Sequence, residues 1–394
     1  MVIARFSREF YLLTAFATII YISGTIPSPF FSLYVSETEA SSFELGLIIS
    51  LLAYTTLLIR MPLGMLSSKI GNWWVVPIAL IGQSSSYIFY SQVTNPMHFY
   101  PIRIFHAISI ASLHPTLMSL VSVISPENGK GEAVGTFLTS VGLGTMGGPF
   151  LCSFLLTYFD YKTILKLSSI LPLIAFIIYI GLLRIDALSK HLSRSKKREE
   201  FIDSSWNRIK RIITIRQVQM LTYVRFTFAF TAAIVATLYS VYAVNTLKIL
   251  PAVYALLVTF RGFANTITRV PAGRISDMIG RKKPLLISFT LLTIVFLLFS
   301  TVGGPITIGV VMILYGIAHG IRAVSEWSLL ADVVTRDDQS LANFYFACVF
   351  DLGSAFGATF AGVIAMILPT PVIYIIAAFL ISSSIIVIAF SKIQ

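Results

Sequence analysis

The chain has 394 residues, 56% hydrophobic and only 12% charged, with a net charge of +12 and a mean hydropathy of +0.85. Soluble domains carry about 25% charged residues, so a water-soluble globular fold is excluded. The positive charge reads as retention of cytoplasmic loops rather than as a nucleic-acid surface.

Apolar runs of about 20 residues point to helices that cross a membrane, not to a β-barrel. Arg5 and Arg8 precede the first run, and no small-residue cleavage site follows it. That run reads as a first spanning helix rather than a cleaved signal. Twelve spans can be placed: 10–34, 43–66, 73–93, 98–124, 132–157, 163–184, 217–246, 250–272, 283–302, 305–334, 340–367 and 370–391. With an even number of spans, both termini share one side. Arg5, Arg8, Lys69, Lys130, the basic run across 184–216, Arg274, Arg281, Lys282, Lys283, Arg336 and Lys392 then fall together. Lys162 and Lys248 fall opposite. This bias puts both termini in the cytoplasm of a cell-membrane protein.

Span 1 is polar for a membrane helix, with Thr14, Thr18, Tyr21, Ser23, Thr25 and Ser28, and Pro27 and Pro29 bend its outer end. Its Phe31-Ser-Leu-Tyr34 resembles Tyr239-Ser-Val-Tyr242 in span 7. These segments read either as an outer gate or as interfacial aromatic anchors. Span 4 carries Arg103, His106 and His114, which at 100° per residue lie within roughly 80° of one another. Cys152 and Cys348 both sit inside apolar runs, so no disulfide is expected.

Residues 185–216 form a charged linker between six-span halves at 1–184 and 217–394. Ile202, Trp206, Ile209 and Ile213 recur there at helical spacing, among Arg208, Lys210 and Arg211. The pattern fits an amphipathic helix on the anionic leaflet, or a solvated linker.

In the second half, Arg261 lies in span 8, Asp351 in span 11 and Arg225 in the inner part of span 7. His319, Arg322 and Glu326 of span 10 lie within about 60° of one another on a helical wheel. An ionisable side chain at mid-membrane costs roughly 2.5–3.5 kcal/mol, so each is a functional candidate. Glu326 and Asp351 are the carboxylates placed deeply enough to carry a coupling proton. The same residues read alternatively as fixed ion pairs, Arg322 with Glu326 and Arg261 with Asp351. Arginines outnumber acids at depth, which suits an anionic substrate.

The halves are duplicated. Arg60-Met-Pro-Leu-Gly64 matches Arg269-Val-Pro-Ala-Gly273, His106 matches His319, and Gly144 and Gly148 match Gly353 and Gly357. Two related bundles around a midplane site are the logic of alternating access. The stretch Gly273-x-x-x-Asp277-x-x-Gly280-Arg281-Lys282-Lys283 resembles the loop signature of the major facilitator superfamily. Arg103-Ile-Phe-His106-Ala107 resembles that family's span-4 signature, with His for Gln and Ala for Gly. Gly144-x-x-x-Gly148-Pro149 resembles the signature of its antiporters, notably drug–proton exporters, although Cys152 and Ser153 stand where glycine is expected.

The resemblance implies an all-α integral membrane fold of twelve transmembrane helices in two pseudo-symmetric six-helix bundles. It implies a secondary transporter rather than an enzyme: proton-coupled efflux of small hydrophobic compounds, or uptake or exchange of a small organic anion. A transport-inactive membrane sensor is the remaining alternative. The expected partners are a small molecule, a proton and membrane lipids, with no nucleic acid, cofactor or metal, and the chain is expected to be a monomer. No G-x-x-x-x-G-K-[S/T] occurs. The expected cytoplasmic gate comprises Arg269, Gly273, Asp277, Gly280, Arg281 and Asp332. Asp277 is placed near a helix N-terminus, and Arg281 bridges to Asp332 to latch the halves. In the first copy, Ser68, Asn72 and Ser119 replace the acid, the second arginine and its partner, so the latch is expected in the second half alone.

Overall fold

A computed structural model describes residues 7–70, 74–111, 113–124, 130–183, 201–335 and 338–391. Every regular element among them is helical. In chain order these are α1 (Arg8–Thr25), α2 (Phe31–Ser36), α3 (Ser42–Ile70), α4 (Val75–Ser91), α5 (Phe99–Ile110), α6 (Leu113–Ile124), α7 (Lys130–Leu155) and α8 (Tyr161–Leu183). There follow α9 (Phe201–Thr214), α10 (Arg216–Val241), α11 (Pro251–Ile279), α12 (Lys282–Phe299), α13 (Pro305–Val333), α14 (Gln339–Ile364) and α15 (Thr370–Phe390). A π turn over Tyr242–Thr246 extends α10.

Proline explains where the expected spans break. Span 1 divides into α1 and α2 because Pro27 and Pro29 lack the N–H that would carry the helix through. Span 4 divides into α5 and α6. The ring of Pro115, in the first turn of α6, would clash with the carbonyl of Ala111 in an unbroken helix. Pro149, Pro172 and Pro271 leave α7, α8 and α11 continuous. Neighbouring helices re-satisfy the backbone at such places. By length and hydropathy alone, eight helices among the described residues could cross a membrane. Helix α1, the α5–α6 pair, the 17-residue α4 and the charged α11 do not reach that standard.

The stretch expected to be a tight loop, Arg269–Lys283, is mostly helix. α11 runs on to Ile279, and only Gly280 and Arg281 separate it from α12. Gly280 has φ 83° and ψ 163°, a conformation that L side chains rarely adopt. Asp277 therefore sits in the last turn of α11, not at a helix N-terminus as expected.

The contacts divide the chain into two compact units, residues 1–34 with 55–198 and residues 35–54 with 199–394. In the first, α1 packs on α7 and α8, and α4 on α5 and α8. In the second, α10 packs on α14 and α15, α11 on α13, and α12 on α13 and α15. The pairings α1–α7 and α4–α8 thus recur as α10–α14 and α12–α15. Each unit has its own apolar core, around Phe16, Leu80, Leu117 and Phe137 in the first and Phe228, Phe289, Phe299 and Leu330 in the second. Residues 42–54 of α3 belong to the second unit, where a Cβ on Gly46 would fall 2.6 Å from the Gly362 Cα.

The duplicated glycines explain the shared geometry. A Cβ on Gly148 would lie 2.7 Å from the Ile22 carbonyl oxygen, and one on Gly353 2.7 Å from the Phe226 carbonyl oxygen. Both pairs hold two backbones close, as small residues do between membrane helices. Gly353 and Gly357 thus make in the second unit the close approach that Gly144 and Gly148 make in the first.

The linker helix α9 packs on α10 and α14. Ile212 is buried in the second unit's core, with Ile209 and Ile215 against it. The described apolar side chains Ile209 and Ile212 are therefore turned into protein. Ser193–Glu200 and the side chains of Ile202 and Trp206 lie outside the described residues. Arg208 Nε and Arg211 NH2 reach the two oxygens of Asp338 at 2.6 and 2.5 Å, at the start of α14. Burial weighs against the Asp338 carboxylate, but hydrogen bonds from Arg211 and Arg208 outweigh it and hold its pKa below the usual value.

Two outcomes follow from this packing. A lowered folded-state pKa stabilises above the unfolded aspartate value of about 3.9 and is lost as pH falls through the folded value. Docking of α9, followed by limited proteolysis, is expected to be constant near neutrality and to loosen only below about pH 3.9. Asp338→Asn is expected to weaken it by about 1 kcal/mol at neutral pH. In thermal unfolding of detergent-purified protein, Gly357→Ala is expected to cost about 1–3 kcal/mol. Its Cβ would fall 2.7 Å from the Phe230 carbonyl carbon. Gly181→Ala, with nothing within 4 Å, is expected to be neutral or to stabilise by up to ~1 kcal/mol.

Candidate functional site

α13 presents His319, Arg322 and Glu326 on one face, as their spacing requires. Arg322 NH1 donates to Glu326 Oε2, and Arg225 NH1 of α10 donates to the same oxygen at 3.2 Å. Glu326 is 0% exposed, Arg322 2% and Arg225 8%. Two buried cations therefore share one buried anion.

Aromatic rings wall this triad. The Arg322 guanidinium carbon lies 3.6 Å from the Phe228 ring centroid. That of Arg225 lies 4.4 Å from Phe346, 4.9 Å from Trp327 and 5.0 Å from Phe350. Such cation–π contacts are worth about 2 kcal/mol or more when desolvated. His319 packs on Phe228, with ring centroids 4.9 Å apart. Among the described residues, three polar atoms of the triad have no hydrogen-bond partner: Arg225 Nε, Arg322 Nε and Glu326 Oε1. A buried unpaired polar atom costs about 1–3 kcal/mol.

α11 adds two more arginines. Arg261 lies over Tyr315, 5.4 Å from its centroid, and Arg269 donates from Nε to Asn265 Oδ1 at 2.9 Å. Both act electrostatically on His319. Asp351 of α14 acts on Arg225. The Arg322–Glu326 pair raised by the sequence is present. The sharing of Glu326 with Arg225 was not foreseen, nor were Phe228, Trp327, Phe346 and Phe350. The i, i+4 spacing of Phe346 and Phe350 was a legible signal of one aromatic face.

In the first unit, Arg103 and His106 lie on α5 and His114 on α6, and each meets its own neighbours. The Arg103 guanidinium lies 4.2 Å from the Phe31 ring centroid. His106 Nδ1 meets the Tyr90 hydroxyl at 3.4 Å, with Tyr87 alongside. His114 Nδ1 is hydrogen-bonded to the Tyr21 hydroxyl and feels the charge of Arg60. Tyr34 donates to the Tyr90 carbonyl at 2.6 Å. Tyr34 and Tyr239 are buried, at 2% and 0% exposure.

Arg281 Nε donates to Asp332 Oδ2 at 2.8 Å, and its NH1 contacts Asp277 Oδ1 and the Ser276 hydroxyl. The cluster joins α11, α12 and α13 within the second unit. Lys282 Nζ donates to the carbonyls of Ala389 and Ser391, both at 2.8 Å, tying the start of α12 to the end of α15. Gly273 is not tightly packed, since its Cβ would meet Val324 Cγ1 at 3.5 Å. Asn72 and the side chains of Ser68 and Ser119 lie outside the described residues.

Glu326→Ala would leave two buried guanidinium groups with no anion between them. It is expected to cost about 3–5 kcal/mol. Glu326→Gln, which keeps an accepting oxygen, is expected to cost less; thermal unfolding in detergent checks the order.

A family model described as the Major Facilitator Superfamily matches residues 13–249 and again 221–392. An uncharacterized MFS-type transporter of Methanocaldococcus jannaschii is 24% identical over 372 residues, 90% of each chain. The multi-drug resistance efflux pump PmrA of Streptococcus pneumoniae is 22% identical over 335 residues, 84% of this chain and 82% of the pump. The crystal structure of the nucleoside transporter NupG has the same fold, with a TM-score of 0.80 at 13% identity over 98% of this chain and 100% of NupG. Two matching halves, twelve spans in two bundles and charges buried between helices have one common explanation: the chain belongs to the Major Facilitator Superfamily, a family of membrane transporters.

Proposed function

We propose that this transporter is proton-coupled and that Glu326 is the group that takes up and releases the proton. The observation that carries the reading is one carboxylate, 0% exposed, placed between Arg225 and Arg322. Its charge state decides whether the two arginines are neutralised. A change in that state is therefore a large electrostatic event in a dry site, of the kind that moves helices between two arrangements. Asp351, acting on Arg225, modulates the same balance. The aromatic walls suit a small, largely hydrophobic cargo. Export in exchange for protons is supported by the relatives that are multi-drug efflux pumps. The cell membrane, with both termini in the cytoplasm, is the location that the Lys/Arg bias favours.

A second reading, uptake or exchange of a small organic anion, is favoured by the arginine surplus. Arg225, Arg261, Arg269 and Arg322 all act on His319, with Glu326 and Asp351 as the acids nearby. The two readings predict opposite directions of flux along an imposed pH gradient. In proteoliposomes screened with lipophilic cations and organic anions, Glu326→Gln is expected to reduce proton-driven flux to background, and Asp351→Asn to reduce it partly. Full proton-driven flux through Glu326→Gln would exclude the coupling role.

A further inference from the structure

We infer that Gln83 and His106 form a binding site for the carboxamide head of a neutral aromatic compound, with Gln83 Oε1 accepting from its N–H and His106 Nε2 donating to its carbonyl. The site is built within the first unit and does not rest on the role proposed for Glu326.

The duplication shows that the fold does not need polarity at this place. Each buried residue of α12 has a buried counterpart on α4, 209 residues earlier. Gln83, Tyr87 and Tyr90 stand where α12 has Leu292, Phe296 and Phe299, all three at 0% exposure in the second unit's apolar core. The same packing position is thus filled by hydrocarbon in one copy and by an amide and two hydroxyls in the other. A buried polar atom without a partner is destabilising, so the polar copy is the less stable one unless something completes it.

Hydrogen-bond accounting identifies what is missing. Gln83 Nε2 donates to the Tyr87 hydroxyl at 3.0 Å, and that hydroxyl donates to the Ser23 carbonyl at 3.1 Å. Arg103, a donor only, hydrogen-bonds the Tyr90 hydroxyl, whose own proton has His106 Nδ1 as its acceptor at 3.4 Å. The proton of the neutral imidazole therefore sits on Nε2. Among the described residues, two atoms of this network have no partner: Gln83 Oε1, an acceptor, and His106 Nε2, a donor. Gln83 is 3% exposed and His106 7%. Tyr87 joins the two, bonded to the Gln83 amide through its hydroxyl and set edge-on to the His106 ring, with centroids 5.6 Å apart.

One open acceptor and one open donor require a group that carries one of each. A carboxamide does so on two atoms of one planar, uncharged group. A carboxylate has no proton for Gln83 Oε1, and an ammonium has no lone pair for His106 Nε2. The Arg103 guanidinium is engaged by Tyr90 and by the Phe31 ring, 4.2 Å from its carbon, and its charge further disfavours a cation. The surroundings are aromatic. Tyr90 also meets His106, with centroids 5.8 Å apart, and Phe31 and Phe99 pack on Tyr90. An aromatic body therefore has rings to pack against.

The test uses the purified full-length chain in detergent, with benzamide, N,N-dimethylbenzamide and benzoate as probes in titration calorimetry and thermal unfolding. Benzamide is expected to bind and to raise the unfolding temperature. N,N-dimethylbenzamide, which lacks the N–H, and benzoate, which lacks it and is charged, are expected to bind about tenfold or more weakly. Gln83→Leu copies the residue of α12. Without ligand its unfolding temperature is expected to be unchanged or raised. It is expected to weaken benzamide about tenfold and to leave N,N-dimethylbenzamide as it was. His106→Phe removes the donor that both amides use and is expected to weaken both by a similar factor. Three results each overturn the proposal. The first is no benzamide binding, which leaves water as the occupant. The second is benzoate or N,N-dimethylbenzamide binding as tightly as benzamide. The third is Gln83→Leu binding benzamide as the parent does while unfolding at a lower temperature, which makes Gln83 a structural residue. Glu326 is untouched throughout, so none of these outcomes bears on the coupling reading.

Discussion

Taking two guanidinium groups and a carboxylate out of water costs several kcal/mol per ion, and pairing repays this only with good geometry and full hydrogen bonding. In this chain the pairing is incomplete. Glu326 gives one oxygen to Arg225 and Arg322 together, and its other oxygen has no partner among the described residues. Cation–π contacts with Phe228, Trp327, Phe346 and Phe350 supply part of what is missing. The triad is thus a compact charge balance that a proton or a charged cargo would disturb, and α10, α13 and α14 are held together around it.

That balance sits in a frame built twice from the same packing rule. Glycine pairs bring α1 against α7 and α10 against α14 at backbone distance, and the resulting helix pairs recur in both units. The copies differ in polar content. The first unit's deep polar side chains, Arg103, His106 and His114, meet aromatic rings and tyrosine hydroxyls. The second unit's meet a carboxylate. The two copies therefore share their packing and differ in the charge they bury.

Outside the spans, charge fastens helices rather than balancing cargo. Arg281 gathers Asp277 and Asp332 across α11, α12 and α13, and Asp338 holds α9 through Arg208 and Arg211. These contacts combine with apolar burial of Ile212 to dock the linker helix on the second unit. Part of the basic charge is therefore engaged by carboxylates of the chain itself.

Hydropathy, the Lys/Arg bias, the 209-residue offset of the R-x-P-x-G copies and the wheel position of His319, Arg322 and Glu326 were legible in the chain alone. Each depends only on local composition or on the 3.6-residue period of a helix, which the membrane enforces by requiring every backbone group to be satisfied within its segment. The Arg281–Asp332 contact was legible for a related reason, since both residues sit at neighbouring helix ends. Arg225's share of Glu326 was not. It depends on the rotation and depth of α10 against α13, which no single-helix pattern specifies. Which neighbours Arg103, His106 and His114 meet, Phe31, Tyr90 and Tyr21 respectively, was not legible either. The continuation of α11 to Ile279 placed Asp277 at a helix C-terminus rather than an N-terminus. Propensity and hydropathy decided that this chain is a bundle of membrane helices. Only the packing of those helices decided which buried charge faces which, because ion pairing is set across helices at ångström scale and not along them.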